Sequence, residues 1–220
     1  EEYGLIEELG NIMLRKSCRL LNECHKMSDD FKDLYVSVNV DSSQLEKDSF
    51  LPSIKRLVEN YNIQPHLLQL EITEREAVNP NKEVVPLLRQ ARDLGFEIAL
   101  DDFGTGYSSL TYLRTLSADT LKIDQTFIRD MMDDPGDRAI VAGIIGLAEA
   151  FRRKVIAEGV ETVEHGKFLL DLGCTMLQGY GIARPMPAED LPAWVSSWPD
   201  KAWTEVMSTY NTNNKRSLAT

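Results

Sequence analysis

The chain contains, at residues 97–124, the stretch EIALDDFGTGYSSLTYLRTLSADTLKID, which predicts a strand, a loop, a helix and a second strand. The runs EIALD and TLKID are rich in Leu and β-branched residues, as buried strands are. Between them, two glycines allow a tight loop, and a pair of serines can cap the helix that follows. A helix between two such runs is typical of parallel strands joined by a crossover.

The same theme, a short apolar run followed by a polar turn and a stretch with helical period, occurs six times along the chain. The runs are YVSVNV at 35–40, LLQLEI at 67–72, EIALD at 97–101, TLKID at 120–124, KVIAE at 154–158 and TMLQG at 175–179. Strands that alternate with helices predict an α/β fold with a parallel sheet, either a (β/α) barrel or an open doubly wound sheet. In both folds ligands bind at the carboxyl ends of the strands.

The stretches between the runs have apolar residues at helical spacing. Two predicted helical faces are Leu51, Ile54, Val58 and Tyr61, and Ile140, Ile144, Leu147 and Phe151. A further helix is predicted around residues 5–27, before the first strand. From about Trp198 the pattern fades, and we expect the polar residues 211–220 to form a frayed tail. No linker divides the chain, so one domain is expected.

Composition narrows the class of protein. The 220 residues are 43% hydrophobic and 27% charged, and 24 Lys plus Arg stand against 35 Asp plus Glu, a formal charge of −11. This balance argues against a surface that follows a nucleic-acid backbone. Cys18, Cys24 and Cys174 are odd in number and lack paired spacing, which argues against a disulfide framework or a structural zinc site. The cysteine usage therefore fits a reducing, cytoplasmic compartment. No apolar run is long enough for a membrane span, so a soluble chain is expected.

Polar residues follow every predicted strand at its carboxyl end. They are Asn39, Glu71, Asp101, Asp102, Lys122, Asp124, Glu158 and Gln178. A single acidic residue in a loop is most often a cap or a turn former. Six strand ends with the same character predict a common site, and several carboxylates at one site need cations between them. Oxygen ligands of this kind favour Mg²⁺, Mn²⁺ or Ca²⁺ over zinc.

Adjacent carboxylates suit a pair of metal ions about 3.5 to 4 Å apart, the arrangement used to attack a phosphodiester. Asp101 and Asp102 are such a pair, because a turn after Asp101 lets both side chains face the same centre. Lys122 is the one cation in the set and could hold the attacking water or a phosphate oxygen. Its alternative role is to neutralise Asp124 or Asp101.

Two other classes of site are disfavoured. The D-F-G of residues 102–104 lacks the glycine-rich loop, the strand lysine and the H-R-D loop of a protein kinase. The three histidines, His25, His66 and His165, have no metalloprotease spacing and no partner nucleophile, so we interpret them as surface or packing residues.

Six strings resemble, in order and spacing, the successive signatures of the EAL domain family, bacterial phosphodiesterases specific for cyclic di-GMP. They are VSVNV, LEITE, IALDDFGTGYSSL, LKIDQTF, VIAEGVET and QGYGIARPMP. The resemblance extends from the first residues to about Trp194. It implies a modified TIM (β/α)8 barrel and cleavage of one phosphodiester of cyclic di-GMP to linear pGpG. It also implies dependence on Mg²⁺ or Mn²⁺ and inhibition by Ca²⁺.

The resemblance also implies roles for individual residues. Asn39, Glu71 and Asp101 resemble the ligands of one metal, and Asp101 would bridge to a second metal held also by Asp102 and Glu158. Metal activation of water makes a separate base optional, so Glu158 is interpreted first as a ligand.

Further residues resemble the parts of the family's site that surround the metals. Lys122 resembles the lysine that positions the nucleophilic water, and Glu74 the residue that anchors the DDFGTGYSS loop. Asp124, Glu161 and Gln178 resemble supporting members of the site.

Some features of the family's pattern do not occur in these residues. The E-A-L strand with its glutamate ligand and the strand before it would, by motif order, lie before Glu1, so about six of eight strands are expected. We therefore predict an N-terminally incomplete EAL domain at residues 1–195, followed by a C-terminal helix or tail at 196–220. Smaller departures are Asp41, where the family commonly has Ser, and Gln125, where it often has Arg.

The resemblance implies partners beyond the substrate. Family members often follow GGDEF, PAS or receiver domains and often form homodimers through helices near the DDFGTGYSS loop. Attachment to a membrane through another segment of a longer protein is compatible with this sequence.

Two alternatives to the phosphodiesterase remain open from the sequence. One is a degenerate, non-catalytic EAL domain that binds cyclic di-GMP as a receptor or contacts a protein partner. The other is an unrelated acidic TIM-barrel enzyme, such as an enolase-like lyase, which also gathers carboxylates and a lysine at strand ends. The DDFGTGYSS and AEGVE strings weigh against the second.

Overall fold

The computed structural model describes residues 2–77, 84–106, 110–199 and 201–217. These residues belong to two compact units, residues 1–121 and 122–220. Within the described ranges, no helix is both long enough and apolar enough to cross a membrane.

The first unit alternates strands and helices, as the sequence predicts. Its elements are α1 (Glu2–Met27), β1 (Val36–Asn39), α2 (Ser42–Leu45), α3 (Phe50–Asn60), β2 (Leu68–Thr73), α4 (Glu74–Ala77), α5 (Val84–Asp93), β3 (Glu97–Phe103) and α6 (Leu110–Thr115). Short 3-10 helices occur at Asp29–Phe31 and Pro65–Leu67. A fourth strand, β4 (Thr120–Ile123), begins at the end of this unit.

The strands of the first unit pair in parallel. In the β1–β2 pair Asn39 lies opposite Glu71, and in the β2–β3 pair Thr73 lies opposite Asp101. Because the three strands run in one direction, their carboxyl ends meet at one edge of the sheet. The register therefore brings Asn39, Glu71 and Asp101 to that edge.

Apolar side chains explain why these segments form covered strands. Leu68, Leu70 and Ile72 of β2 are buried, as are Ile98 and Leu100 of β3. Near-continuous burial of this kind is typical of parallel strands with helices packed against them. The predicted face of α3 is confirmed, since its Leu51, Ile54 and Val58 are all buried.

The second unit continues the alternation. After β4 it contains α7 (Gln125–Asp130), α8 (Pro135–Ala150), β5 (Lys154–Ala157), α9 (Val163–Asp171), β6 (Met176–Leu177), α10 (Leu191–Ser197) and α11 (Lys201–Ser217), with a 3-10 turn at Ala188–Asp190. β5 and β6 pair in parallel, with Ile156 opposite Met176. The amide of Glu158 donates to the carbonyl of Ile123, 3.2 Å away, at the ends of β5 and β4. The strand order follows the chain, so all six predicted strands and the α/β class are confirmed.

The predicted buried face of α8 is wrong by one position. Ile140 is 41% exposed, whereas Val141, Ile144, Ile145 and Ala148 are buried. Residues 140–148 are apolar almost all round the helix, so helical period alone does not single out one face. Packing of α8 against β5 selects the face.

The C-terminal segment also differs from the expected frayed tail. α11 continues to Ser217, and its Trp203 is only 3% exposed. Trp203, Val206 and Tyr210 recur at the spacing of one helical face, a signal that the polar residues around them obscure. The serine pair predicted to cap α6, Ser108 and Ser109, lies outside the described residues.

All three cysteines are free and buried. Burial raises the pKa of the Cys18 thiol to about 11 and that of the Cys174 thiol to about 11.

Because the thiolate is the reactive form, we expect alkylation of both Cys18 and Cys174 at neutral pH to be slowed roughly 100-fold or more relative to the unfolded chain. Mass spectrometry of iodoacetamide-treated protein, with and without denaturant, measures this ratio. Equal rates in the two conditions would contradict the burial.

Candidate active site

Asn39 and Glu71 form the first part of the candidate site, at the ends of β1 and β2. They are opposite each other in the register, and residues level with each other on parallel strands point to the same side of the sheet. The amide of Val40 donates to the carbonyl of Glu71 at 2.8 Å and continues the pairing beyond β1. Both residues line a cavity of about 400 Å³ in the first unit. This edge therefore offers two oxygen ligands side by side.

Asp101 and Asp102 provide two further carboxylates at the end of β3. Asp102 has φ 55, a left-handed conformation that Asp tolerates better than most residues. This interrupts the alternation of a regular strand, and the Asp102 amide donates to Asp101 Oδ1 at 3.1 Å. The turn expected after Asp101 therefore takes the form of one left-handed residue within the last part of β3.

Glu74 lies beneath the loop that follows these aspartates. Its carboxylate is buried, and Oε2 accepts hydrogen bonds from the amides of Gly104 at 2.9 Å and Gly106 at 3.2 Å. A Cβ on Gly106 would lie 2.8 Å from Glu74 Oε1, so only glycine fits there without a shift. The first residue of α4 thus holds the glycine loop against the end of β3.

We expect the substitution Glu74→Gln to lower the free energy of unfolding by about 1 to 3 kcal/mol, because the two amides lose a charged acceptor. Urea unfolding followed by circular dichroism measures the change. Glu46→Gln, at an exposed position after α2, is the matched control and should leave the midpoint unchanged. Equal midpoints for the two variants would contradict the role of Glu74.

Glu76 has a role that the sequence did not indicate. Its Oε1 accepts from both the amide and the hydroxyl of Ser42 at 3.1 Å, and its Oε2 accepts from the Thr73 hydroxyl at 2.9 Å. Asp41 caps α2, accepting from the Ser43 amide at 2.8 Å. The carboxylate of Asp41, a position where the family commonly has Ser, thus serves as a helix cap. Only its position two residues after Glu74 in EITERE could have drawn attention to Glu76.

Lys122 and Glu158 form an ion pair in the second unit. Lys122 Nζ lies 2.6 Å from Glu158 Oε1, and the two side chains are 4% and 16% exposed. Glu158 is a partner that the sequence alternative, in which Lys122 neutralises Asp124 or Asp101, does not name. Removal from water strengthens the attraction of such a pair and orients both groups.

Asp124 has a structural contact of its own. Its Oδ1 accepts from the Thr126 amide at 2.8 Å and caps α7, and the Thr126 hydroxyl also donates to it. Asp124 therefore caps α7 and also lies at the carboxyl end of β4, two residues after Lys122.

A second cavity, of about 350 Å³, opens at the ends of β5 and β6 and includes three predicted site residues, Glu158, Glu161 and Gln178. Gln125 and Tyr180 also line it.

Sequence reasoning did not select Tyr180, which is exposed. The Arg184 guanidinium lies over its ring, 5.1 Å from the ring centre. A ring and a cation beside a carboxylate suit a planar base and a phosphate. In the sequence, the feature that could have indicated Tyr180 is its position directly after a strand-end glycine.

The histidines are surface or packing residues, as predicted. His66 is exposed, His25 lies 3.3 Å from the carbonyl of Leu34, and His165 is buried in the first turn of α9.

The sequence is similar to a known family and to characterised proteins. The model of the EAL domain family matches residues 1–185. The bifunctional diguanylate cyclase/cyclic di-GMP phosphodiesterase MucR of Pseudomonas aeruginosa is 38% identical over 196 residues, 89% of this chain and 28% of MucR. The cyclic di-GMP phosphodiesterase NbdA of the same organism is 37% identical over 198 residues, 90% of this chain and 25% of NbdA. The chain thus spans about a quarter of the length of these relatives.

Solved structures give the same result for the fold. A complex of the MucR phosphodiesterase with c-di-GMP has a TM-score of 0.81 at 38% identity and covers 87% of this chain and 76% of that chain. A manganese and cyclic di-GMP complex of BlrP1 from Klebsiella pneumoniae has a TM-score of 0.70 at 26% identity, over 81% of this chain and 45% of that chain. With six parallel strands in sequential order and a family match over most of its length, this chain belongs to the EAL domain family.

Proposed function

We propose that the protein containing this chain hydrolyses cyclic di-GMP to linear pGpG by a two-metal mechanism. The main support is the set of strand-end residues. At each position of the EAL motifs that this chain contains, the residue can either ligate a metal ion or, as Lys122 does, supply a positive charge. Relatives at 38% and 37% identity carry the name of cyclic di-GMP phosphodiesterase, which adds support.

The residue types fit hard divalent cations. We assign Asn39, Glu71 and Asp101 to one ion, and Asp101, Asp102 and Glu158 to the other. These ligands offer only oxygen atoms, which is the preference of Mg²⁺ and Mn²⁺. The register pair Asn39 and Glu71 supports this assignment, because it aligns two such ligands at one sheet edge.

When bound, the ions would supply a nucleophile at neutral pH and stabilise the charge that develops on the phosphate. The chain's own residues prepare the site for this chemistry. Lys122 contributes a buried positive charge suited to holding a water or a phosphate oxygen, and Glu158 keeps its ammonium group in place at 2.6 Å. Glu161 and Gln178 line the cavity beside Glu158 and offer polar contacts to the substrate.

Incubation of the full-length protein with cyclic di-GMP and Mn²⁺ or Mg²⁺ tests the proposal. We expect pGpG as the product on liquid chromatography and inhibition when Ca²⁺ replaces the activating ion. Calcium accepts looser and more numerous ligands, so it would occupy the site without imposing the same geometry. Tight binding of cyclic di-GMP without turnover would instead establish a receptor, and cleavage of other substrates alone would refute both.

Assembly is proposed separately. The curated relatives are several times longer than this chain, so we expect regulatory domains such as GGDEF, PAS or receiver domains in the full protein. We also expect a homodimer, which light scattering coupled to gel filtration measures. A monomer at micromolar concentration would contradict that expectation.

A further inference from the structure

Helix α11 lies beyond the residues that the family model matches, which end at 185. It nevertheless packs closely within the second unit. Trp203 of α11 is 3% exposed, and a Cβ on Gly166 of α9 would lie 2.2 Å from its ring. The ring also forms a cluster with Trp198, at 5.7 Å between ring centres. Contact this close needs glycine on α9. Helix α11 therefore packs against α9 at one defined position.

Trp203 also reaches the loop that follows β6. Its indole N–H donates to the carbonyl of Gly181 at 2.8 Å. Gly181 in turn donates its amide to the carbonyl of Val160 at 2.8 Å, and the Val160 amide donates to Gln178 at 3.0 Å. Each link is a hydrogen bond of ordinary length. A continuous chain of contacts therefore joins α11 to the loops 158–161 and 178–181.

These two loops carry the side chains of the second cavity. Glu158 and Glu161 line it from one loop, and Gln178 and Tyr180 line it from the other. The loops lie so close that a Cβ on Gly179 would come within 2.3 Å of the Val160 amide nitrogen. A shift of the 178–181 loop would therefore move Gln178 and Tyr180.

We propose that Trp203 is a positioning residue, through which α11 holds the 178–181 loop in the shape that receives cyclic di-GMP. The inference rests on the proposed function for its substrate. Glu158 has contacts outside this loop, with Lys122 and through the hydrogen bond of its amide to Ile123. The side chains of Gln178 and Tyr180, in contrast, follow the loop. Loss of the contact should therefore weaken substrate binding more than it slows the chemical step.

The test uses Trp203→Phe in the full-length protein, which keeps an aromatic side chain at this position but removes the indole N–H together with part of the ring. We expect KM for cyclic di-GMP to rise about fivefold, the equivalent of one ordinary hydrogen bond, with little change in kcat. Trp194→Phe is the matched control, because Trp194 stacks in the same aromatic cluster and, among the described residues, its side chain forms no hydrogen bond to either loop. It should leave both constants unchanged.

Hydrogen exchange of the peptide containing residues 178–181 gives a readout that needs no substrate. We expect faster exchange in Trp203→Phe than in Trp194→Phe, because the Gly181 carbonyl loses its donor. Faster exchange without turnover in the wild type would refute the proposed function and leave the positioning role standing. Unchanged exchange and unchanged KM in Trp203→Phe, whether or not the melting temperature falls, would overturn the role of Trp203.

Discussion

The substitution Asp102→Asn is expected to lower kcat/KM for cyclic di-GMP on the order of 100- to 1000-fold, because the proposed second ion loses a charged ligand. The backbone should not change. Asp102 is exposed, and its φ of 55 is a conformation that Asn adopts readily. Chromatographic quantification of pGpG at several Mn²⁺ concentrations measures the effect, and raising the metal concentration should restore part of the activity.

A matched control is Asp33→Asn, which makes the same chemical change at an exposed turn before β1. It should retain wild-type turnover. Thermal unfolding of both variants verifies that neither change disturbs the fold. Wild-type activity in Asp102→Asn at limiting Mn²⁺ would exclude this residue as a ligand.

The second large effect is expected at Lys122. Replacement by Met leaves the Glu158 carboxylate without its partner at 2.6 Å. Removing one member of a buried ion pair costs about 3 to 5 kcal/mol, and the partial exposure of Glu158 places our expectation near the lower value. Hydrolysis should fall on the order of 100-fold or more, since the only cation among the strand-end residues is lost. Urea unfolding and the pGpG assay measure the two effects.

A double-mutant cycle separates charge from packing in this pair. Lys122→Met combined with Glu158→Gln should recover much of the stability lost in Lys122→Met, because no unpaired charge remains, but should not recover activity. Lys154→Met, at an exposed position on β5, is the matched control and should change neither property. Additive losses in the double variant would show that the two side chains do not interact.

The sequence predicts the strands well and the helical faces less well. Each of the six runs overlaps a strand, because buried parallel strands need continuous apolar segments that few other structures use. The face of α8 was missed, because Ile140 and Val141 are both apolar and only packing decides which one is buried. The extent of α11, which the sequence left open as a helix or a tail, was not predicted for a related reason, since its buried tryptophan stands among polar residues.

In the candidate site, too, some residues could be selected from the sequence and others depend on packing. Asn39, Glu71, Asp101 and Asp102 could be selected from sequence, because strand ends are recognisable and oxygen ligands are few in type. Glu76 could not be selected, since its value depends on Ser42, a residue 34 positions away that folding brings to its carboxylate.

The number of strands, the positions of the candidate ligands along the chain and the family were determined by local sequence alone, through apolar runs and the polar residues that end them. The tertiary structure decided which partner each buried charge has, as with Lys122 and Glu158, and which remote side chain supports each loop, as with Trp203 and Gly181. The physical reason is that local patterns reflect burial along one segment. A hydrogen bond or ion pair depends on distances of a few ångströms between segments, and these arise only when the elements pack.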